Sequence, residues 1–493
     1  MSPVRVMRMR VRYVLALAGL LSAPLVPLAA QEPMSLQRAI ELAQEQGHTA
    51  RGARASLDAA RYTDNAFWAQ YMPQLSLAGT LPRYNHAIVP VLQPDGSTLF
   101  RSQNQTQSEL SATLSQRLPT GGDVFVTSSL QRLQLSGDQS LRSWSSTPVS
   151  LGIRQDIFRP NTFALDRKEQ PVRSELAERQ YLEAREDVAL RVTNLFFDVY
   201  TAQMGLQNAQ ANVAINDTLY TLNKGRYEVG KIGENDLLQS ELALLRSRTS
   251  LDGARLDYER AEAALRLALN LAPGTPITLA VPGEAPAYVA DSAVAAAQAL
   301  RNVSDVSNTA LQELVAKRRV TEAKLENGFG ATVQAAIGYN ATAPEFSSAY
   351  QNLLEARSVS VSVEIPLIQW GSRHNRVAAA EAQLQQAENS REATLDEIAM
   401  EARFAALQVE QTRRSLALSA KADTVGAKRF EVAYNRYVIG KIAIDNLYIA
   451  QSEKDQAIVQ YLQALRQHWL AHYQLRRLTL FDFEKGEALA ERD

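Results

Sequence analysis

The sequence predicts a mixed α and β membrane protein made of long antiparallel coiled-coil helical hairpins and amphipathic β-strands, with an internal two-fold repeat. The evidence is a pair of long heptad-patterned segments, a series of short alternating segments, and a motif that occurs twice. The motif reads RYEVGKIGENDLLQSE from Arg226 and RYVIGKIAIDNLYIAQ from Arg436. Each copy separates two helical patterns, so each predicts the turn at the tip of a helical hairpin.

The N-terminal segment, residues 1–30, has a basic start, an apolar middle and two small residues before Gln31. This order predicts a secretory signal peptide. A membrane anchor is the alternative, but Pro24 and Pro27 interrupt the apolar run and no second apolar stretch follows. We therefore expect the remainder of the chain to be exported.

Charge and cysteine content restrict the class further. Residues 1–30 hold four of the 52 Lys and Arg residues and none of the 53 Asp and Glu residues, so the remaining chain is mildly acidic. It offers no basic surface for nucleic acid. The chain has no cysteine, so it has neither disulfides nor a thiol for lipid attachment, and packing alone must hold it together.

Helical periodicity dominates both halves. The longest patterns extend for some 60 residues, which corresponds to roughly 90 Å at the rise of an α-helix. A sustained seam of apolar residues at spacings of four and three predicts coiled-coil packing. In the first half the seam is Val188, Val192, Leu195, Val199, Ala202, Leu206, Ala209 and Val213. The predicted helices are 35–71, 163–224, 236–271, 292–327, 374–435 and a return helix that ends near Leu478.

Alternating segments lie at about residues 74–158 and 331–367, with loops expected at 82–107 and 136–147. Beyond Gln31 no run of about 18 apolar residues occurs, so no transmembrane helix is predicted. One apolar and one Ser/Thr-rich face suit the wall of a membrane barrel, as do aromatic residues near the strand ends, namely Trp68, Tyr71, Phe158 and Trp370. A soluble sandwich with one wet face is the alternative, and the roughly 90 Å helices argue against it.

The predicted organisation has four parts after the signal peptide. They are a first repeat at 31–273 with its tip at 226–236, a linker at 274–290, a second repeat at 291–483 with its tip at 436–446, and a tail at 484–493. The first repeat is longer because of a hairpin near 107–134, whose turn is Pro119-Thr120-Gly121-Gly122. This extra hairpin either joins the wall, giving six strands per chain, or folds over its mouth.

The order of helix, strands, long helix and tip resembles the TolC family of outer membrane efflux proteins over essentially the whole exported chain. The motif residues are Tyr227, Val229, Gly230 and Asp236 in the first copy, Tyr437, Ile439, Gly440, Asp445 and Asn446 in the second, and Tyr71-Met72-Pro73 before the first strand. The resemblance implies an outer membrane channel-tunnel of a tripartite efflux or type I secretion system. Such a channel is a passive duct from the periplasm to the exterior.

The resemblance also implies the assembly. A homotrimer would share one barrel in outer membrane lipid and one helical tunnel projecting into the periplasm, and it would dock at its tips on a periplasmic adaptor served by an inner-membrane pump. Family members usually contribute four strands each, so six here would close a trimeric barrel at about 18 strands rather than 12. The cargo and the energy source of the pump are not specified by the sequence.

Two sets of site residues follow from the resemblance. The adaptor-docking turns would be Val229, Gly230, Lys231, Ile439, Gly440 and Lys441, and the periplasmic gate would be Tyr227, Asp236, Tyr437, Asp445 and Asn446. The carboxylates would form a ring that favours cations, although Asn446 stands where the second repeat should have an acid. Alternatively the acids cap the return helices, where an anion is stabilised by roughly 0.3–1 kcal/mol. The tyrosines either pack at the tips or bond between chains.

No catalytic motif is present, so we expect neither enzyme activity nor a cofactor or metal. His468 and His472 have a spacing that suits a metal, but no third ligand is evident and the intervening residues lack the Glu of a zinc-protease motif. The alternative function is a periplasmic coiled-coil adaptor or scaffold without a pore. It shares the signal peptide and the helical hairpins but does not explain six amphipathic strands.

Overall fold

The computed structural model describes residues 33–92, 94–137, 140–283 and 286–489. The predicted signal peptide lies outside these residues. In chain order the elements are α1 (Leu36–Gln46), α2 (His48–Ala69), β1 (Gln74–Leu92), β2 (Thr98–Arg117), β3 (Asp123–Gly137), β4 (Leu141–Ile157), α3 (Thr162–Glu228), α4 (Glu234–Ala268), α5 (Ser292–Asn302), α6 (Ser304–Glu326), β5 (Gly330–Ala343), β6 (Leu354–Glu364), α7 (Ser372–Val438), α8 (Ile444–Thr479), β7 (Phe481–Asp482) and β8 (Glu487–Ala488).

The two halves share one order of elements and nearly equal helix lengths. Helices α3 and α7 each have 67 residues, about 100 Å at the rise of an α-helix. The opening helices α1 and α5 have 11 residues each, and the return helices α4 and α8 have 35 and 36. The predicted long helical hairpins are thereby confirmed. The first half differs by its additional strand pair, β2 and β3.

Each predicted opening helix is in fact two helices. The breaks lie at Gly47 and Val303, whose backbones are extended with ψ of 143° and 145°. At the second break Glu183 of α3 accepts hydrogen bonds of 2.7 Å from both the backbone N–H and the hydroxyl of Ser304. A carboxylate from another helix thus satisfies a free N–H at the start of α6. The prediction of unbroken helices was wrong, and at the second break the partner Glu183 is remote in sequence.

The strands form one antiparallel sheet in the order β1-β2-β3-β4-β5-β6. They are longer than predicted, since most of the expected loops at 82–107 and 136–147 belong to β1, β2 and β4. Residues 98–107 and 141–147 are rich in Gln, Ser and Thr on both faces, so the apolar alternation that marks a strand is absent there, and in β1 Pro82 and Pro90 interrupt it. In contrast, β6 ends at Glu364, before the predicted boundary at 367.

The register of the sheet gives it one apolar and one polar face. The apolar row across the first five strands is Leu75, Leu114, Val126, Leu151 and Ile337. The adjoining row on the opposite face is Ser76, Thr113, Thr127, Ser150 and Gly338. Leu75 is 76% exposed and Leu77 is 71% exposed, so a single chain leaves its apolar face uncovered.

The main core lies where α1 and α5 pack on the middle of the long helices. Val188, Val192 and Val199 of the predicted seam are buried, and so are Ile398, Ala402 and Val409, which stand 210 residues later in α7. Phe196 and Phe197 of α3 are fully buried. Burying such a side chain stabilises the folded state by roughly 1.5–3 kcal/mol. This core, called the collar below, therefore holds the long helices side by side.

None of the helices in the described ranges has both the length and the apolar content of a membrane span.

Candidate functional site: the helical tips

Both tips turn with the same backbone geometry. At the first tip Gly230 has φ of +73°, its N–H donates to the carbonyl of Tyr227, and the N–H of Lys231 donates to the carbonyl of Arg226, each at 2.8 Å. At the second tip Gly440 has φ of +74°, and the same two bonds measure 2.9 Å. This pair of bonds defines the Schellman motif, whose left-handed residue is normally glycine.

The predicted turn residues are exposed, and they lie at the end of the long helices that is opposite the sheet. Val229 is 67% exposed and Ile439 is 64% exposed. A Cβ atom added to Gly230 or Gly440 would meet no heavy atom within 4 Å. Space is therefore free at both tips, and only the positive φ requires glycine. Lys231 and Lys441, which complete the two turns, are exposed as well.

The second tip packs against the first hairpin through Tyr437. Its ring is 5% exposed and lies in a cluster with Leu219, Ile444 and Leu447. Its hydroxyl donates a hydrogen bond of 2.6 Å to Oδ1 of Asn223. This contact joins α7 to α3 within the chain.

Arg226 adds a cation–π contact and a hydrogen bond between the same hairpins. Its guanidinium lies 5.3 Å from the centre of the Tyr437 ring, and it donates a hydrogen bond of 2.9 Å to the carbonyl of Val438. A cation over an aromatic face contributes about 0.5–1 kcal/mol at exposed sites and more when desolvated. Apolar and polar contacts together therefore hold the two tips against each other.

Tyr227, which matches Tyr437 in the first motif, has a different environment. It is 41% exposed, and its hydroxyl makes no hydrogen bond to any residue that the structure describes. The residue 210 positions after Asn223 is Ala433, which has no side-chain acceptor. Equivalent motif residues therefore have unequal roles within one chain.

The carboxylates predicted to form the gate, Asp236 and Asp445, both lie in the first turn of a return helix. Neither is the N-cap, because Gly233 precedes α4 and Ala443 precedes α8. Asp236 is half-buried, while Asp445 is exposed and accepts a hydrogen bond of 2.5 Å from Nε2 of Gln239. The two acids are therefore not N-cap residues, but both occupy the positive end of a helix dipole, as the alternative expected. Asn446 is exposed beside Asp445.

Above the tips, α3 and α8 meet through polar residues that the sequence reasoning missed. Asn208 and Asn212 donate to the two carboxylate oxygens of Asp455 at 2.8 and 2.9 Å, and Gln451 donates to Asn212 at 3.0 Å. They lie beside a groove of about 810 Å³ between α3, α4 and α8. Burial raises the pKa of Tyr448, which lines the same groove, to about 12. The sequence signal for this contact was the presence of the polar residues Asn208 and Asn212 between the apolar residues of the α3 seam.

His468 and His472 form hydrogen bonds that join the linker to α8. Nε2 of His468 donates to the carbonyl of Pro286 at 3.1 Å, and Nδ1 of His472 lies 2.9 Å from the hydroxyl of Tyr288. Burial lowers the pKa of His472 to about 3. Within the described residues, no group of three or more His, Asp or Glu side chains could hold a metal ion.

Comparison with known proteins places this architecture in one class. Crystal structures of the Campylobacter jejuni CmeC outer membrane channel and of the Vibrio cholerae outer membrane protein VceC match with TM-scores of 0.64 and 0.65. The match covers 92% of this chain and 87% of CmeC at 13% identity, and 90% of this chain and 95% of VceC at 14% identity. The fold is therefore that of outer membrane channels.

Sequence comparison is consistent with the fold. Residues 123–271 match the family model described as outer membrane efflux protein. Protein CyaE of Bordetella pertussis is 26% identical over 302 residues, which is 60% of this chain and 61% of that protein. The match thus spans about three fifths of the curated relative. Residues 123–271 are therefore similar to the outer membrane efflux protein family, and the chain has the fold of outer membrane channels.

Proposed function

We propose that this protein is the outer membrane duct of a tripartite efflux or type I secretion system, through which cargo passes passively from the periplasm to the exterior. The observation that carries the proposal is the division of the molecule into two ends. An amphipathic sheet lies at one end of two 67-residue helices, and two matching exposed turns lie at the other.

The two open edges of the sheet support assembly with further copies of the chain. Strands β1 and β6 each have one neighbour, so two edges carry unpaired backbone N–H and C=O groups. Such groups cost several kcal/mol each in lipid, and a sheet spans a membrane only when it is closed. We infer a homotrimer, in which the edge of β6 in one copy pairs with β1 of the next.

The tips supply the closed end and the docking surface of this duct. The contacts of Tyr437 and Arg226 hold the two hairpins of a chain together there, and Asp236 and Asp445 stand in the adjoining helical turns. In the trimer these carboxylates would line the constriction and favour cations. The two glycine turns present backbone to a periplasmic adaptor, which would connect the duct to an inner-membrane pump.

Single-channel recording tests the proposal. Detergent-purified protein would be incorporated into a planar bilayer, and its oligomeric mass would be measured on the same sample. We expect a trimer with small, cation-selective openings. A water-soluble species without conductance, extracted from cells by salt alone, would overturn the proposal and favour the adaptor or scaffold function.

A further inference from the structure

We infer that β2 and β3 form part of the membrane wall in every chain, so that the trimer closes as an 18-stranded barrel. The inference rests on the trimer proposed above. Strands β1, β4, β5 and β6 alone would give a trimer of 12 strands, because each half of the chain would contribute one pair. The additional hairpin could instead fold across the mouth, and three observations argue against that arrangement.

The first observation is continuous pairing across the sheet. Strand β2 pairs with β1 from Gln74 to Leu92 and with β3 from Asp123 to Gly137. Strand β3 also pairs with β4, so both added strands have two neighbours. The apolar row defined above passes through Leu114 of β2 and Val126 of β3 without a change of face. A hairpin lying over the mouth would have neither property.

The second observation is the position of the turn between β2 and β3. Nδ2 of Asn161, the N-cap of α3, donates a hydrogen bond of 2.9 Å to the carbonyl of Pro119. Gln155 at the end of β4 is bonded to Thr120 by two hydrogen bonds of 2.7 and 3.1 Å. The turn is therefore held at the level where the helices begin. The added hairpin spans the sheet from this level outward.

The third observation is the packing of β3 on β4. The ring of Phe125 lies over its cross-strand partner Gly152, where a Cβ atom would approach the ring to 2.3 Å. The hydroxyls of Thr113 and Thr127 are 3.4 Å apart on the polar face. These contacts require β3 to lie between β2 and β4. Direct pairing of β1 with β4 would remove all of them.

Closure follows from strand direction and spacing. Each of the six strands is antiparallel to the next, so β1 and β6 run in opposite directions and a β6–β1 contact between copies is antiparallel. With strands about 4.8 Å apart and tilted by about 40°, 18 strands give a backbone diameter of about 36 Å, against about 24 Å for 12. The outer mouth would then be half as wide again, and the constriction would lie at the helical tips.

Thiol labelling tests the inference, because the chain has no cysteine and each variant carries a single thiol. The β2 pair is Thr113→Cys on the polar face and Leu114→Cys on the apolar face. The control pair in β4 is Ser150→Cys and Leu151→Cys. The protein in lipid vesicles would be treated with a charged maleimide, and we expect labelling at positions 113 and 150 with protection at 114 and 151.

The outcomes separate the two proposals. If the β4 pair alternates but both β2 positions label, the hairpin lies outside the wall and only this inference fails. If both β4 positions label, the barrel itself fails and the proposed function falls with it. Electron cryo-microscopy of the unmodified trimer gives an independent measure, since a mouth of about 24 Å would contradict 18 strands.

Discussion

Tyr437 and Asn223 are joined by a hydrogen bond of 2.6 Å, and this bond ties the end of α7 to α3 at the level of the tips. Asn223 is completely buried, and its Nδ2 has no partner among the described residues. Its amide is therefore held by a single bond from one phenol. This contact is local to the chain, whereas the matching Tyr227 faces outward.

Replacing Tyr437 by Phe should loosen the second tip. Loss of the hydroxyl leaves Oδ1 of Asn223 buried without a donor, which costs about 1–3 kcal/mol. We expect larger or more frequent openings in single-channel records. Tyr227→Phe is the matched control, and its record should resemble that of the unmodified protein because that hydroxyl has no partner among the residues that the structure describes. Equal effects of the two variants would show that the hydrogen bond to Asn223 does not hold the tip.

The tip glycines should tolerate a larger side chain, but not a residue whose backbone strongly prefers a negative φ. Gly440→Ala meets no atom, so its cost is the left-handed backbone alone, roughly 1–2 kcal/mol. Gly440→Asn should cost less, since Asn adopts this conformation more readily. We expect Ala to weaken cross-linking to the adaptor more than Asn does, with the trimer intact in both. The reverse order would indicate that the side chain, and not the backbone, decides docking.

The acidic positions should control block of the pore by multivalent cations. Asp236→Ala combined with Asp445→Ala removes the carboxylates from the first turns of α4 and α8, so block should weaken. Asn446→Asp adds a carboxylate at the position that matches Asp236, and block should become stronger. The measurement is the concentration of a trivalent cation that halves the conductance. An unchanged value in the double variant would exclude both acids from the constriction.

Acid should destabilise the collar through His472. Its pKa is about 3 in the folded chain because burial disfavours the charged form, and the unfolded value is near 6.5. The unfolded state therefore binds the extra proton between these values, and stability present above pH 6.5 is lost as pH falls, at up to ~1.4 kcal/mol per pH unit. Nearby Arg476 lowers this pKa further, while Asp482 raises it.

His472→Gln should reduce that pH dependence. Gln retains a polar partner for Tyr288 but takes up no proton in this range. Thermal unfolding of both proteins between pH 4 and pH 7 would measure the difference in slope. Parallel curves would assign the acid sensitivity to other groups, such as His468, whose pKa is also lowered by burial.

Periodicity predicted the long helices and the glycine turns well, because both depend on residues that are close together in the sequence. It failed where the decisive partner is distant. Glu183 of α3 bonds to the start of α6 just after the break at Val303, and the strand portion at 98–107 has polar residues on both faces. The tip motif predicted both tyrosines alike, and the change from Asn223 to Ala433 between the two halves is one of the differences that distinguish them.

The equal length of α3 and α7, at 67 residues each, couples the two halves of the gene. One residue inserted in a single helix would advance its tip by about 1.5 Å and rotate it by about 100°. That displacement would separate Tyr437 from Asn223. The two hairpins can therefore change length without loss of this contact only if they change together, and steps of about seven residues keep the seam in phase. Hairpin length is thereby limited to discrete increments.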